Sequence, residues 1–173
     1  MSRAALPAGI TIRAIGADDV LPLERFYAAL SPDALDARFH GGTRGIEDRA
    51  ARMFCGPDHV HREGLVAVKH RARGAETIVG HLCLEPTAGD DVEMAIAVAD
   101  AWQHHGIGRA LLTAAIDWAG ARGFARVHGA IRWSNPAILG LIRSCGRPVT
   151  VMTDSEGDTE AVIDIRPPLS AAA

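Results

Sequence analysis

The chain is divided into short apolar runs and longer stretches in which apolar residues recur every three or four positions. A short apolar run between turn residues predicts a strand, and the longer spacing predicts an amphipathic helix. The predicted strands cover residues 10–15, 65–68, 78–84, 91–98, 126–132, 149–153 and 161–165. The predicted helices cover residues 18–30, 32–41, 47–54, 107–120 and a segment that begins at residue 136. The predicted element order is therefore βαααβββαβαββ.

Two of the helix starts contain residues that satisfy the free backbone amides of a first turn. Ser31-Pro32-Asp33 combines a capping hydroxyl, a proline suited to the first turn and an acid suited to the positive helix end. Asn135 before Pro136 has the same capping chemistry. A role of Asn135 as a cap alone and a role as a cap that also contacts a ligand both stay open.

The length of 173 residues suits one domain with a hydrophobic core and is too short for two domains of ordinary size. We expect this domain at residues 9–166, with flexible tails at 1–8 and 167–173. A composition of 48% hydrophobic and 23% charged residues is typical of a globular protein.

The charge and the cysteines narrow the class of protein further. A formal net charge of -3 provides no overall attraction to nucleic acid or to an acidic membrane, so we expect neither as a partner. Cys55, Cys83 and Cys145 are odd in number and widely spaced, which favours a reduced, cytoplasmic location. We identify no apolar run of membrane-spanning length and no signal peptide. The oligomeric state stays open.

The clearest binding signal lies between the strand at 91–98 and the helix that follows it. Gly106 and Gly108 are small enough to let a phosphate approach the backbone. A helix start also offers free N–H groups with a partial positive charge. Arg109, and His104 or His105 when protonated, would add charge-assisted hydrogen bonds. The segment therefore predicts a site for a diphosphate.

Other phosphate-binding and metal-binding patterns do not fit the sequence. A P-loop needs Gly-Lys followed by serine or threonine, which this segment lacks. A Rossmann fingerprint needs its first glycine directly after the strand, whereas Gly106 comes eight residues after Val98. His59 and His61 match no structural zinc spacing with the cysteines, so we expect no metal.

The Gln-x-x-Gly-x-Gly pattern from Gln103 to Gly108 resembles the pyrophosphate loop of GNAT acetyltransferases, and the element order resembles theirs over nearly the whole chain. The resemblance implies the GNAT fold. This α/β (α+β) fold has a mixed, mostly antiparallel central sheet of about seven strands, one for each predicted strand, flanked by helices. It also implies acetyl-CoA, or another short acyl-CoA, as cosubstrate. The implied cofactor contacts are the backbone groups of Ile96, Ala97 and Val98, the loop residues Gln103, His104, His105, Gly106, Ile107, Gly108, Arg109 and Ala110, and Asn135.

Glu93 is the candidate general base. An amine attacks a thioester only when its lone pair is free, so a protonated amine needs a proton acceptor. Glu93 lies in an otherwise apolar strand, where we expect desolvation to make a carboxylate a better proton acceptor. The alternative is that Glu93 is the polar member of an alternating strand and points to water.

A carboxylate at this strand position resembles the base of bacterial protein lysine acetyltransferases of the GNAT family. Residues 26–32 and 38–40 look similar to that subgroup as well. The resemblance implies a protein lysine as acceptor, such as a lysine of an acyl-CoA synthetase. A small-molecule amine as acceptor, and a non-catalytic module that binds acyl-CoA, are the alternatives. Ile142 departs from the wider family, which often carries a tyrosine there as the acid for the thiolate.

Overall fold

The computed structural model describes residues 6–41, 43–131, 136–155, 157 and 159–166, which form a seven-stranded sheet with helices on both faces. The strands are β1 (Ile10–Ala14), β2 (Glu63–His70), β3 (Glu76–Pro86), β4 (Asp91–Val98), β5 (Arg126–Ile131), β6 (Val149–Thr153) and β7 (Thr159–Asp164). The helices are α1 (Val20–Ala28), α2 (Pro32–Phe39), α3 (Asp48–Phe54), α4 (Ile107–Ala121) and α5 (Pro136–Arg143). Their order along the chain is the predicted one.

The strand order in the sheet is β1-β2-β3-β4-β5-β7-β6. Every neighbouring pair is antiparallel except β4 and β5, which are parallel. Parallel neighbours need a crossover connection, and α4 provides it. The sheet is therefore mixed and mostly antiparallel, as predicted.

Helices cover both faces of the sheet because side chains alternate between the faces along each strand. Leu65 of β2 packs on the side of α4 and α5, where Leu111 is fully buried. Val66, the next residue, packs on the side of α1 to α3 with Leu23 and Tyr27. The protein thus has a hydrophobic core on each face of one sheet.

The strands β4 and β5 pair only at one end. Asp91–Glu93 pairs with Arg126–His128, and beyond this point β4 continues beside β3 while β5 continues beside β7. At the point of separation, a Cβ on Gly129 would lie 2.7 Å from the carbonyl oxygen of Met94. The two strands therefore enclose a wedge-shaped opening that begins next to Glu93.

The observed element bounds differ from the predicted ones mainly at polar ends. β4 has the predicted bounds, whereas β2 begins at Glu63, because polar residues extend strand pairing without adding to an apolar pattern. The first helical stretch begins with a short 3-10 helix, Ala17–Asp19, before α1. In the described part of the chain, no helix is both long and apolar enough to cross a membrane.

Candidate active site

The opening between β4 and β5 leads to the first turn of α4. Gly106 precedes this helix with a left-handed φ of 81°. The Ala110 N–H donates to the Gly106 carbonyl at 3.0 Å, which is the first hydrogen bond of the helix. The N–H groups of residues 107–109 precede that bond and therefore have no acceptor within the helix. They form a set of backbone donors at its positive end.

Gln103 braces the turn that carries these donors. Its Nε2 donates to the carbonyl oxygen of Val98 at 3.2 Å, across the base of the turn. The Gln103 carbonyl accepts a hydrogen bond from Nδ1 of His105 at 2.6 Å. The side chain of Gln103 therefore fixes the connection from β4 to α4.

The turn requires glycine at Gly106 and at Gly108 for different reasons. Gly106 has a positive φ, which residues with a Cβ rarely adopt. A Cβ on Gly108 would lie 3.2 Å from Cδ2 of Leu141 in α5 and 3.8 Å from Cγ2 of Val98. Gly108 thus allows α4 to pack closely against α5. Close packing against α5 is thus a second role for Gly108, beside the predicted approach of a phosphate.

The backbone groups of β4 alternate between β3 and the opening. The Ala99 N–H donates to the Val79 carbonyl at 2.9 Å. Because hydrogen-bonded pairs alternate in an antiparallel ladder, Ala97 also directs its backbone groups toward β3. Ile96 and Val98 direct theirs to the other edge, from which β5 has separated. The geometry favours Ile96 and Val98 over Ala97 as backbone contacts for a ligand.

A cavity of about 930 Å³ follows this opening between α2, β4, α5 and the start of α4. The predicted cofactor residues on its wall are Ile96, Ala97, Val98, Gln103, His104, Gly106, Gly108 and Arg109. Ile107 is 1% exposed and packs into the core, so its side chain does not line the cavity. Asn135 lies outside the described residues, and its contact stays a prediction.

The larger cavity has charges of both signs on its wall. Arg109 contributes a cation at the start of α4, and Asp33 and Asp100 lie on the side of α2. Asp100 accepts hydrogen bonds from Ser31, 2.6 Å from Oγ and 3.1 Å from the backbone N–H, which hold the pKa of Asp100 below its usual range. Ser31 is also the predicted N-cap of α2, so this contact ties α2 to the end of β4.

A smaller cavity of about 350 Å³ adjoins the larger one near the point where β4 and β5 separate. The two cavities share the wall residues Ala37, Ile96 and Ile138. Glu93 lines the smaller cavity, and its side chain is exposed. The expected desolvation of Glu93 by its apolar strand is therefore wrong, because neighbours in the strand point to the other face.

Glu93 lies between two other titratable side chains. The strand register places Glu85 of β3 on one side and His128 of β5 on the other. Glu85 accepts two hydrogen bonds from Arg62, at 2.6 and 2.7 Å, and Nδ1 of His128 lies 2.6 Å from a carboxylate oxygen of Glu160. Among the described residues, Glu93 forms no hydrogen bond or ion pair. Its carboxylate is therefore available to accept a proton.

A buried polar cluster lies beside the smaller cavity, and sequence reasoning did not find it. The Tyr27 hydroxyl and Nδ1 of His81 lie 2.8 Å apart, and both side chains are fully buried. Burial raises the pKa of Tyr27 to about 12 and lowers that of His81 to about 3, so both are neutral near pH 7. The two residues are 54 positions apart, so no local spacing indicates their contact.

The described residues provide no metal centre, and two of the cysteines are held as thiols. No group of three or more His, Cys, Asp or Glu side chains among them is arranged to hold a metal ion. Burial raises the pKa of Cys55 to about 11 and also raises that of Cys83, which favours the thiol form.

Ile142 lines the smaller cavity and is 2% exposed, so this position offers no proton donor.

Residues 24–146 match the model of the acetyltransferase (GNAT) family. The chain belongs to this family. The match extends from α1 through α5 and includes Glu93 and the turn from Gln103 to Gly108. The resemblance inferred from the glycine turn and the element order is therefore confirmed, and the protein is a GNAT-family acetyltransferase.

Solved structures of the GNAT family share the fold. The GNAT domain of S. lividans PAT has a TM-score of 0.77 and 24% identity, over 88% of this chain and 89% of that one. The structure of yncA from Salmonella typhimurium, solved with its cofactor acetyl-CoA, has a TM-score of 0.74 and 21% identity, over 95% of this chain and 99% of that one. A phosphinothricin acetyltransferase from Sinorhizobium meliloti in complex with acetyl-CoA has a TM-score of 0.70 and 21% identity, over 89% of this chain and 86% of that one. No match was found among curated proteins. These similarities confirm the predicted GNAT fold class.

Proposed function

We propose that this GNAT protein transfers an acetyl group from acetyl-CoA to a primary amine, and that the amine is a protein lysine. The observation that carries the proposal is the arrangement of the two adjoining cavities. Backbone donors at the start of α4 face the larger cavity, and Glu93 lines the smaller one. A diphosphate site and a proton acceptor in adjoining cavities suit an acyl-CoA thioester. We assign this activity to a single domain at residues 9–166.

The residues of the larger cavity fit the polar groups of acetyl-CoA. The N–H groups of residues 107–109 would donate to the diphosphate, and Arg109 would add a charge-assisted bond. The backbone groups of Ile96 and Val98 that face the opening would pair with the pantetheine amides in the manner of an added strand. When bound, acetyl-CoA supplies the activated acyl carbon. The acetyl-CoA complexes of yncA and of the Sinorhizobium meliloti enzyme support this assignment.

Glu93 is the proposed proton acceptor. Its carboxylate takes a proton from the incoming ammonium group, directly or through one water, and so frees the nitrogen lone pair. The nitrogen then bonds to the acyl carbon while the carbon–sulfur bond breaks, and the nitrogen releases a second proton to solvent to give the neutral amide. Because Ile142 has no proton to give, the sulfur leaves as a thiolate and is protonated by solvent.

The proposed acceptor is a lysine side chain of a protein such as an acyl-CoA synthetase. The similarity of residues 26–32 and 38–40 to bacterial lysine acetyltransferases supports this class. The acids Asp33 and Asp36 on the wall of the larger cavity would attract a cationic amine. The fold of the phosphinothricin acetyltransferase favours a small-molecule amine as the second candidate.

An acetyl-transfer assay tests the proposed function. The purified protein is mixed with acetyl-CoA and either an acyl-CoA synthetase, a lysine peptide or a panel of small amines, and both free thiol and acetyl-lysine are measured. Lys69 is the only lysine of the chain, so a Lys69→Arg protein has no lysine of its own to label. Acetylation of the synthetase supports the proposal, and turnover with small amines alone supports the second candidate. Binding of acetyl-CoA without thiol release under any condition would favour the non-catalytic module.

A further inference from the structure

A cation lies at the smaller cavity with no carboxylate partner among the described residues. Arg38, near the end of α2, lines this cavity together with Glu93. Its guanidinium carbon lies 4.7 Å from the ring centre of Phe39 and 5.5 Å from that of Phe54. Its Nη2 donates to Sγ of Cys83 at 3.3 Å. The rings and the sulfur hold the guanidinium group in place without neutralising its charge.

The position of Arg38 is unusual for a largely buried charge, which is normally paired. In the described part of the chain, no ion pair joins Arg38 to a carboxylate, and its buried Nε has no hydrogen-bond partner. Burial lowers the pKa of Arg38, but charge interactions with Tyr27 and Cys83, a hydrogen bond to Tyr27 and a weaker charge interaction with Glu93 together raise it by more. Arg38 and Glu93 line the same cavity, and Tyr27 and Cys83 are neutral near pH 7, so Glu93 is the carboxylate on this wall that the guanidinium group can attract.

The charged neighbours of Glu93 on β3 and β5 already have partners. These pairs are Glu85 with Arg62, at 2.6 Å, and His128 with Glu160, at 2.6 Å, with Thr87 3.1 Å from the second ring nitrogen of His128. His40, the C-cap of α2, also lines the cavity but is charged only when protonated. Among the described residues on this wall, Arg38 is therefore the only permanent cation.

We propose that Arg38 is a positioning residue for Glu93. The fixed guanidinium group draws the exposed carboxylate toward the cavity. It also opposes the repulsion between Glu93 and its neighbour Glu85. The inference rests on the proposed function, because it needs Glu93 to be the general base.

A double-mutant cycle on kcat tests this role. Wild type, Arg38→Met, Glu93→Gln and the double variant are compared by thiol release at saturating acceptor. Arg38→Met should lower kcat roughly tenfold and leave the KM for acetyl-CoA unchanged, and in the Glu93→Gln protein it should lower kcat by no more than about twofold. Arg38→Lys, which keeps the charge, should recover much of the loss.

The possible results separate the two claims. An equal loss from Arg38→Met in both backgrounds would overturn the positioning role and leave Glu93 as base. A Glu93→Gln protein with wild-type kcat would overturn the proposed base and the positioning role together. Thermal melting and acetyl-CoA titration of each variant check the fold. The cycle is repeated with Arg38→Gln, whose amide can still donate to Cys83, so that a folding defect of Arg38→Met does not decide the outcome.

Discussion

Glu85 and Glu93 are neighbours on one face of the sheet, and their partners give them different chemistry. Both oxygens of Glu85 accept hydrogen bonds from Arg62. A carboxylate that is bound to a guanidinium group is a weaker proton acceptor. Glu93 has no hydrogen-bond or ion-pair partner among the described residues and faces a cavity. Proton transfer should therefore depend on Glu93 and not on Glu85.

Glu93→Gln and Glu85→Gln form a matched pair that tests this difference. Glu93→Gln should lower kcat by about 10²–10⁴-fold, because the amide cannot accept the ammonium proton, and it should leave the affinity for acetyl-CoA unchanged. Glu85→Gln should keep near wild-type turnover. Steady-state kinetics and calorimetry measure the two quantities. Equal losses in both variants would argue against a specific role for Glu93.

His81 is sealed in the core, and this makes the stability of the protein depend on pH. Burial, helped by the nearby Arg38, lowers its pKa from 6.5 to about 3. Between these values the unfolded chain binds a proton that the folded protein does not bind. The contribution of neutral His81 is thus complete above pH 6.5 and is lost as the pH falls through this window.

We expect the free energy of unfolding to fall below pH 6.5 by up to about 1.4 kcal/mol per pH unit from this residue. Urea unfolding at a series of pH values from about 7 to 5 measures the slope. His81→Gln is the control, because an amide does not titrate and can still form a hydrogen bond with Tyr27. The slope should be smaller in the variant; an unchanged slope would mean that other groups cause it.

Gln103 predicts a measurable effect on cofactor binding. Gln103→Ala removes the hydrogen bond to the Val98 carbonyl, worth about 1 kcal/mol, and should raise the Kd for acetyl-CoA roughly fivefold. Gln103→Glu should weaken binding further, since a carboxylate cannot donate to that carbonyl and repels a diphosphate. Calorimetry measures both affinities. A Glu variant that binds as tightly as wild type would contradict the proposed placement of the diphosphate.

The separation of β4 from β5 is the feature of the secondary structure on which the site depends. Gly129 lies where the strands part, and its Cα faces the Met94 carbonyl so closely that a Cβ would be 2.7 Å from the oxygen. A backbone oxygen cannot move aside as a flexible side chain can. The absence of a side chain at residue 129 therefore permits the observed spacing of the two strands.

Gly129→Ala should destabilise the protein by about 1–3 kcal/mol, because the added methyl group forces β4 and β5 apart. Gly120→Ala is the matched control. A Cβ at residue 120 in α4 would have no neighbour within 4 Å, and alanine there should stabilise the helix by about 0.5–1 kcal/mol. Urea unfolding compares the two. Similar effects of both substitutions would mean that the close approach at Gly129 is not strained by a methyl group.

The spacing of hydrophobic residues predicted the helices and strands well, but it did not predict the opening between β4 and β5. β4 has the predicted bounds, and Ser31 caps α2 as expected, because both follow from residues that are close in sequence. The partner of each strand is set by distant residues. No local pattern shows that β5 leaves β4 after Glu93, or that Tyr27 meets His81. The exposure of Glu93 also depends on neighbouring elements, so the sequence left open both desolvation and contact with water, and the structure shows an exposed side chain.

In the whole molecule, one strand links the two parts of the proposed reaction. Ile96 and Val98 of β4 direct backbone groups into the opening that leads to α4. Glu93, earlier in the same strand, faces the smaller cavity near α2 and Arg38. The sheet thus holds the proposed diphosphate site and the proposed proton acceptor at a fixed separation. The sequence predicted the glycine turn of the proposed diphosphate site. It did not predict that Arg38 lies at the same cavity as Glu93.

Titration calorimetry with acetyl-CoA tests the central claim, that backbone donors at the start of α4 bind the diphosphate of an acyl-CoA. We expect saturable binding at one site per chain, and much weaker binding of S-acetylpantetheine, which has the thioester but lacks the diphosphate. Circular dichroism on the same sample shows that the protein is folded. A folded protein that does not bind acetyl-CoA, or that binds both compounds equally well, would contradict the account.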